Sequence, residues 1–261
     1  MVLTAFEAAL LGIIQGLTEF LPVSSSGHLA LGQALLGIEA GDVTFEIIVH
    51  FGTLLAVVTA LRERIMVLVR GCLARDSGAL RMLGFLILGT IPAAVFGIGL
   101  KTTLEEAFAS PAAVSGFLIV TGVILWTTRF ASGNRKEVTL VDAVIIGCAQ
   151  ACAIFPGISR SGTTIGMGLW RGLDSREAGT FSFLLSIPII LGATILAVDD
   201  LLAHPPSGDA LWTLIIGAVA AYVSGLFAIR WLMRILAGGK LERFAYYCWI
   251  VGIVGVGYFW S

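Results

Sequence analysis

Charged residues are scarce in this sequence. Asp, Glu, Lys and Arg together make up 13% of the 261 residues, whereas 57% are hydrophobic, and the mean hydropathy is +0.97. An average soluble domain has about a quarter of its residues charged. The composition therefore excludes an ordinary soluble domain and predicts a polytopic membrane protein. The net charge of −1 says little about partners, because in a membrane protein the distribution of basic residues among loops matters more.

The sequence also has few cysteines and lacks the pattern of an N-terminal leader. The four cysteines lie in or beside apolar stretches without zinc-ligand spacing, so we expect free thiols and no disulfides. The apolar N-terminal stretch has no basic region before it and no small-residue cleavage site after it. We therefore expect that it is not a cleaved signal peptide.

The chain contains an internal sequence repeat. A shift of 135 residues places the loop Gln15-Gly-Leu-Thr-Glu-Phe-Leu-Pro-Val-Ser-Ser-Ser-Gly-His28 on Gln150-Ala-Cys-Ala-Ile-Phe-Pro-Gly-Ile-Ser-Arg-Ser-Gly-Thr163. Gln15 then pairs with Gln150, Ser24 with Ser159, and Ser25 with Arg160. The sequence predicts a single integral membrane domain, 1–261, built from one repeat at about 1–131 and a second at about 138–261.

Apolar stretches define the predicted spans. Eighteen to twenty helical residues cover a hydrocarbon core of about 30 Å. Six stretches are long enough and are predicted to cross the membrane: 44–61, 83–100, 112–130, 178–198, 210–232 and 244–260. Two more, 3–36 and 138–170, are interrupted by the repeated loops and could each be spans or re-entrant hairpins.

The basic residues favour the re-entrant interpretation. If 138–170 enters and leaves on one side, all sixteen Lys and Arg residues except Lys101 and Arg160 lie on one face. Such a bias is typical of the cytoplasmic face. By the repeat, 3–36 is assigned the same way. We therefore predict an all-α fold of six transmembrane helices plus two re-entrant helical hairpins, arranged as an inverted-topology repeat whose hairpin tips meet near the midplane.

The hairpin tips carry polar groups that are costly at membrane depth and so indicate function. The candidate residues are Glu19, Ser24, Ser25, Ser26, Gly27 and His28 in the first tip and Ser159, Arg160, Ser161, Gly162, Thr163 and Thr164 in the second. Helices that begin after each tip would direct free amide groups and positive dipole ends at an anion, and Arg160 would add a bidentate donor. Gln15 and Glu19 share a helix face, where the carboxylate could hold a divalent cation or accept a proton.

These residues resemble a known family. The stretch QGLTEFLPVSSSGH resembles the first signature of the bacterial undecaprenyl-diphosphate phosphatases, the bacitracin-resistance membrane proteins, and PGISRSGTT resembles their second. The resemblance implies an enzyme that hydrolyses undecaprenyl diphosphate to undecaprenyl phosphate and inorganic phosphate, which recycles the lipid carrier for peptidoglycan synthesis. It also implies a multi-pass protein of the bacterial inner membrane with its active site facing the periplasm.

The resemblance also implies roles for individual residues. Glu19, Ser25, His28 and Arg160 are the expected catalytic residues, with Ser25 as nucleophile, His28 as the proton-transfer group and Arg160 on the diphosphate. Ser24, Ser26, Gly27, Ser159, Ser161, Gly162, Thr163 and Thr164 are the expected phosphate-binding residues. A divalent cation, Mg²⁺ first and Ca²⁺ second, is expected at Glu19, with Gln15, at a position where the signature takes either glutamate or glutamine, as a second candidate ligand. His50 is expected to line the cavity as a neutral residue.

Several alternatives stay open or fail on the sequence. Direct attack by water could replace the phosphoserine route. A transporter or flippase of a polyisoprenyl phosphate lipid is compatible with the inverted repeat, since architecture does not determine function. A phosphatidic-acid-type phosphatase would need a second histidine where Gly166 stands, and a scaffold would leave the charged tips unexplained. The expected partners are the polyisoprenyl diphosphate and membrane lipids, with no nucleic acid, and a homodimer is compatible with the sequence.

Overall fold

The chain is almost entirely helical. The structure, a computed structural model, describes residues 3–37, 43–203 and 208–260. Short 3-10 turns at Thr128–Phe130 and Leu241–Arg243 and an isolated β-bridge between Arg135 and Leu173 complete the regular structure of these residues. Their α-helices are α1 Ala5–Phe20, α2 Ser25–Leu36, α3 Val43–Ala60, α4 Arg62–Leu73, α5 Ser77–Gly99, α6 Lys101–Phe108, α7 Pro111–Thr127, α8 Leu140–Cys152, α9 Arg160–Trp170, α10 Ser175–Ala203, α11 Asp209–Ala237 and α12 Phe244–Phe259.

Several helices are long and apolar enough to cross a membrane, so the chain is an integral membrane protein. Among the described residues there are four: Ser77–Gly99, Pro111–Phe130, Ser175–Ile195 and Ala210–Ala237. They coincide with four of the six predicted spans. The prediction of an all-α membrane fold is therefore confirmed at this level.

The other two predicted spans differ from a simple crossing. The apolar α3 is followed directly by the arginine-bearing α4, and the two are bent by 77° at Leu61. The predicted span 244–260 is the 16-residue helix α12, which at 1.5 Å per residue is about 24 Å long and so shorter than the hydrocarbon core. The sequence pattern did not predict α4, because its mixed apolar and charged residues resemble a loop.

Both interrupted stretches form a pair of helices with a break at the repeated loop. Each pair opens with an equivalent capping box: Glu7 caps with Thr4 at α1, and Asp142 caps with Thr139 at α8. These two boxes are 135 residues apart, as the repeat predicts. They satisfy amide groups that a helix N-terminus would otherwise leave unpaired.

The ends of the second helix pair lie together. Asp142, in the first turn of α8, is buried and accepts from Arg171 Nε, just after α9, at 3.0 Å. Arg135 also donates to Asp142 and, at 2.8 Å, to the Arg171 carbonyl. The hydrogen bond to Asp142 raises the pKa of the Arg135 guanidinium above its ordinary value, so the cluster stays charged. The helices α8 and α9 therefore double back on each other.

The packing of the helices is symmetric between the two halves. The helix α1 packs most extensively on α11, and its repeat counterpart α8 packs most extensively on α5. The equivalent helices α3 and α10 pack against each other, as do α7 and α12. Glycine allows the closest of these contacts: Gly12 lies against Gly217, and Gly147 lies against Gly89. Small residues at such positions let helix backbones approach in a membrane.

The buried core lies beside the two helix breaks. Phe20 and Phe183 are fully buried and meet edge to face with ring centroids 5.6 Å apart. Phe20 directly follows Glu19, and Phe183 directly follows Ser182. This aromatic contact holds the end of α1 against α10 and so determines where the Glu19 carboxylate lies.

Candidate active site

The tips of the two helix pairs are joined by hydrogen bonds. The backbone amide of Gly157 in the second tip donates to Ser24 Oγ in the first at 3.0 Å. In return, Ser161 Oγ donates to the carbonyl of Leu21 at 3.1 Å. The helix α7 supports the second tip, because Thr121 Oγ1 donates to the Gly157 carbonyl at 2.7 Å. The predicted meeting of the two tips is therefore present.

Each tip presents the start of a helix. Ser24 Oγ accepts from the Gly27 amide at 3.3 Å, and Ser159 Oγ accepts from the Gly162 amide at 3.1 Å. These N-caps leave the first amides of α2 and α9, those of Ser25 and Arg160 among them, without intrahelical partners. Two positive helix ends therefore converge, as an anion-binding site requires.

Glu19 is the centre of the polar network. Its side chain is 7% exposed. Glu19 Oε1 accepts from Arg160 at 2.5 Å, and Oε2 accepts from Ser25 Oγ at 2.5 Å and from Gln15 Nε2 at 3.1 Å. A charged group at this depth is stable only when it is paired in this way. The same contact orients Ser25 Oγ towards a group that can take its proton.

Arg160 is held from two sides. One terminal nitrogen bonds Glu19, and the other lies 3.5 Å from the Ser182 carbonyl. Ser182 in turn bonds Thr164 with 2.6 Å between the two hydroxyl oxygens. Because these contacts use only part of its donors, the guanidinium retains N–H groups that can bind a ligand oxygen.

A cavity of about 270 Å³ lies at this meeting point. Its polar wall is made by side chains of both tips together with residues of α1, α3 and α8: Thr18, Glu19, Ser24, Ser25, Ser26, His50, Gln150, Ser159 and Arg160. Its apolar wall includes Ile154, Ile158, Ala93 and Ile189. A ligand with a phosphate headgroup attached to an apolar chain would fit a cavity whose wall is polar on one part and apolar on the other.

The structure brings together part of the predicted set. Ser24, Ser25, Ser26, Ser159 and Arg160 line the cavity with Glu19. Four predicted phosphate-binding residues, Ser161, Gly162, Thr163 and Thr164, are instead buried behind the tip, and the Ser161 and Thr164 hydroxyls are used in contacts within the protein. Gly27 faces the other tip, since a Cβ on it would lie 3.0 Å from Gly157 Cα.

His28 lies on a different side of α2 from the cavity. Its Nδ1 bonds the Ser24 carbonyl at 2.9 Å, and its Nε2 bonds Tyr247 Oη of α12 at 2.8 Å. The two rings also stack, with 5.6 Å between centroids. Since both ring nitrogens are engaged, the predicted proton transfer between His28 and Ser25 has no support in this geometry. The side chain that contacts Ser25 Oγ is instead the Glu19 carboxylate.

His50 lines the cavity as expected, whereas Gln150 was not assigned to the site from the sequence. His50 Nε2 lies 3.9 Å from Glu19 Oε2, and its Nδ1 donates to the Glu46 carbonyl at 2.7 Å. Gln150 lines the cavity and donates to the Gly89 carbonyl at 3.1 Å. The match between Gln15 and Gln150 in the repeat was a signal for the second residue.

Comparison with known proteins identifies the family of this chain. The bacitracin resistance protein BacA family matches residues 8–254. The chain belongs to this family. Undecaprenyl-diphosphatase from Carboxydothermus hydrogenoformans is 42% identical over 256 residues, and that from Rhodopirellula baltica is 44% identical over 254; each match covers 96% of both chains. A Methanobrevibacter smithii undecaprenyl-diphosphatase is 40% identical over 95% of both chains.

The match to the bacitracin resistance family includes both helix pairs and so the whole polar network. The predicted family resemblance is confirmed. The residues that the structure describes contain no group of three or more His, Cys, Asp or Glu side chains that could hold a metal ion.

The donor set around Glu19 fits a cation only in part. The carboxylate oxygens are hard ligands of the type that Mg²⁺ prefers, and His50 Nε2 lies 3.9 Å from one of them. Gln15 does not offer its amide oxygen here: its nitrogen faces Glu19, and its Oε1 is buried without a partner. The protein thus supplies one carboxylate, and substrate phosphates and water would have to complete the shell.

Proposed function

We propose that this protein hydrolyses undecaprenyl diphosphate to undecaprenyl phosphate and inorganic phosphate. Its relatives in the bacitracin resistance family are named for this activity. The observation that carries the proposal is the contact of Ser25 Oγ with Glu19 Oε2 beside Arg160, inside a cavity where two helices begin. Phosphoryl transfer depends mainly on positioning and on charge stabilisation, and this arrangement offers both.

The diphosphate binds at the two helix N-termini. The free amides of α2 and α9 and the remaining N–H groups of Arg160 hold the phosphate oxygens. The first isoprenyl units lie against the apolar wall that includes Ile154 and Ile158. The diphosphate headgroup thus lies against the polar part of the cavity wall, and the isoprenyl chain lies against the apolar part.

Ser25 and Glu19 carry out the reaction. Ser25 Oγ attacks the terminal phosphorus, its proton passes to Glu19 Oε2, and the bond to the bridging oxygen breaks so that undecaprenyl phosphate leaves. Water then attacks the phosphorus of the phosphoserine and loses a proton to solvent, the bond between phosphorus and Ser25 Oγ breaks, and Glu19 returns its proton to Ser25 Oγ, which releases inorganic phosphate and restores both side chains. In the alternative route, water attacks the terminal phosphorus directly, and Ser25 only orients the phosphate.

A divalent cation, Mg²⁺ first and Ca²⁺ second, acts at Glu19 in this proposal. Mg²⁺ is commonly held by one or two carboxylates together with substrate phosphates. When bound, the cation neutralises the diphosphate. Glu19 and His50 are the side chains next to which it would bind, and Gln15 serves to orient Glu19 through its amide nitrogen.

The membrane arrangement in this proposal is six spans and two re-entrant hairpins in inverted orientation. The symmetric packing of α1 on α11 and α8 on α5 supports it. The basic residues at the start of α5 and α10 face the cytoplasm, whereas the cavity is lined by Ala93 and Ala193 from the later parts of these helices. The cavity therefore opens towards the outer face of the cytoplasmic membrane.

Phosphate release from undecaprenyl diphosphate by the purified protein in detergent tests the function. We expect release with Mg²⁺, loss on chelation, and a fall of about a hundredfold or more in Glu19→Gln and Arg160→Ala. Lipid movement across vesicles without any phosphate release would overturn the proposal and favour a flippase of a polyisoprenyl phosphate. Size-exclusion profiles of the two variants show whether they remain folded.

A further inference from the structure

A second elongated groove lies along α1 next to the catalytic cavity. It runs between the first helix pair and the helices α11 and α12. One part, of about 630 Å³, reaches the end of α11, and the other, of about 620 Å³, continues between α2 and α12. The two parts share Leu17, Thr18 and Tyr247. Together they form one continuous groove.

The groove is apolar along its length and basic at one end. Side chains such as Leu21, Phe244, Ile250 and Val254 line it. Three cationic residues, Arg234, Lys240 and Arg243, line the end near the connection between α11 and α12. This distribution of charge complements an anionic headgroup attached to a long apolar chain.

The three cations are available for a ligand. All three side chains are exposed, and the ion pairs among the described residues are made by other side chains. Glu242 lies between Lys240 and Arg243 in sequence but does not line the groove. A phosphate monoester carries a charge of about −1.5 to −2, whereas a phosphodiester carries a single negative charge. Three nearby cations therefore complement the monoester better.

The groove also comes close to the catalytic cavity. Thr18, one residue before Glu19, lines both. Tyr247, where the two parts of the groove meet, holds His28 by a hydrogen bond of 2.8 Å. The residue that the active-site geometry leaves without a chemical role is therefore part of the groove wall.

We propose that this groove is a second lipid site, which binds a long-chain lipid phosphate monoester with its headgroup on Arg234, Lys240 and Arg243. This is the chemical class of the lipid that the proposed reaction releases, so the choice of ligand rests on the proposed function. The site is separate from the catalytic cavity, because the cavity is lined by neither the three cations nor Tyr247. The apolar chain lies along the groove towards Val254.

Binding is measured in a background that cannot turn over substrate. Farnesyl phosphate is titrated into Glu19→Gln/Arg160→Ala protein in detergent and followed by native mass spectrometry. We expect binding that falls by about tenfold or more when Arg234, Lys240 and Arg243 are all changed to Gln. The matched control changes Arg70, Arg81 and Lys136 to Gln, which removes three exposed cations outside the groove and should leave the affinity unchanged.

A second variant tests the apolar part and does not depend on the charges. Val254→Trp fills the groove at a position that is 65% exposed and should weaken undecaprenyl phosphate more than farnesyl phosphate. Farnesol lacks the phosphate group, and inorganic phosphate lacks the apolar chain. Each should bind at least about tenfold more weakly than farnesyl phosphate. Equal binding of phosphatidylglycerol would overturn the proposal in favour of a general anionic-lipid surface.

The groove site and the proposed enzyme activity can fail independently of each other. Unchanged affinity for farnesyl phosphate in the triple variant would remove the groove site even if the wild-type protein releases phosphate. If the triple variant instead raises only the KM for undecaprenyl diphosphate, without affecting monophosphate binding, the groove holds substrate and the proposal fails. Groove binding in a protein without phosphate release would retain the lipid site and reject the enzyme.

Discussion

Ser24 Oγ of the first helix pair accepts a hydrogen bond of 3.0 Å from the Gly157 amide of the second. Ser24 has φ +69°, a conformation that costs a residue with a Cβ about 1–2 kcal/mol. Its hydroxyl also caps α2 through the Gly27 amide. The two tips are thus joined by a residue that is held in a strained conformation beside the cavity.

Two substitutions distinguish the effect of backbone strain at Ser24 from the effect of its hydrogen bonds. Ser24→Ala and Ser24→Gly both remove the hydroxyl, but only glycine relieves the strain. We expect Ser24→Ala to be less stable than Ser24→Gly by about 1 kcal/mol, measured as unfolding in detergent. Both variants should lose kcat, because the tips are no longer tied. Equal stability of the two variants would mean that Ser24 is not strained.

Ser25 and Ser26 both line the cavity, but only Ser25 contacts Glu19. Ser26 Oγ instead lies 3.4 Å from Ser24 Oγ. We expect Ser25→Ala to lower kcat for phosphate release by about 10²- to 10⁴-fold and Ser26→Ala to lower it by less than about tenfold. Acid quenching during turnover of lipid labelled in the terminal phosphate should trap label on the wild-type protein and not on Ser25→Ala. Near-normal turnover by Ser25→Ala would support direct attack by water.

Arg160 should not tolerate replacement by lysine. Lysine keeps the charge, but its single ammonium group cannot reach Glu19, the Ser182 carbonyl and a phosphate oxygen together. We expect Arg160→Lys to lower kcat/KM by about 10²- to 10³-fold. Arg70→Lys, at an exposed position of α4, is the control and should behave like the wild type. An active Arg160→Lys enzyme would show that charge alone suffices.

His28 should affect the rate without setting its pH dependence. Its ring is engaged by the Ser24 carbonyl and by Tyr247, so removing it shifts the start of α2 but takes no proton-transfer group from Ser25. We expect His28→Asn to lower kcat while the shape of its pH profile stays that of the wild type. Loss of one limb of the profile in His28→Asn would restore His28 as the proton-transfer group. Tyr247→Phe, which removes only the hydroxyl partner of His28, is the matched variant.

The polar network at the tips was predictable from the sequence for a physical reason. Glu19 and Arg160 are charges inside apolar stretches, and such charges need a partner at membrane depth. The repeat then indicated that the two stretches are equivalent and that their tips meet, whereas the direct ion pair between Glu19 and Arg160 was not predicted. Ser25 was singled out by the family resemblance.

The orientation of other side chains was not predictable in this way. The family resemblance implied a shared role for His28 and Ser25, but the contact of His28 with Tyr247, 219 residues away, turns its ring to the groove. The bend of 77° between α3 and α4 was missed because hydropathy at Leu61 does not report a change of direction. Tertiary packing decides both, and local periodicity does not contain it.

The close contact between Gly147 and Gly89 leads to a last prediction. A Cβ on Gly147 would lie 2.7 Å from Gly89 Cα, whereas a Cβ on Gly97, in the same helix as Gly89, meets nothing within 4 Å. Gly147→Ala should therefore force α8 away from α5, lower the unfolding temperature and move Gln150 out of the cavity wall. Gly97→Ala should be neutral or stabilising by up to about 1 kcal/mol, since alanine favours the helix. If Gly147→Ala unfolds at the wild-type temperature, the two helices do not pack at this distance.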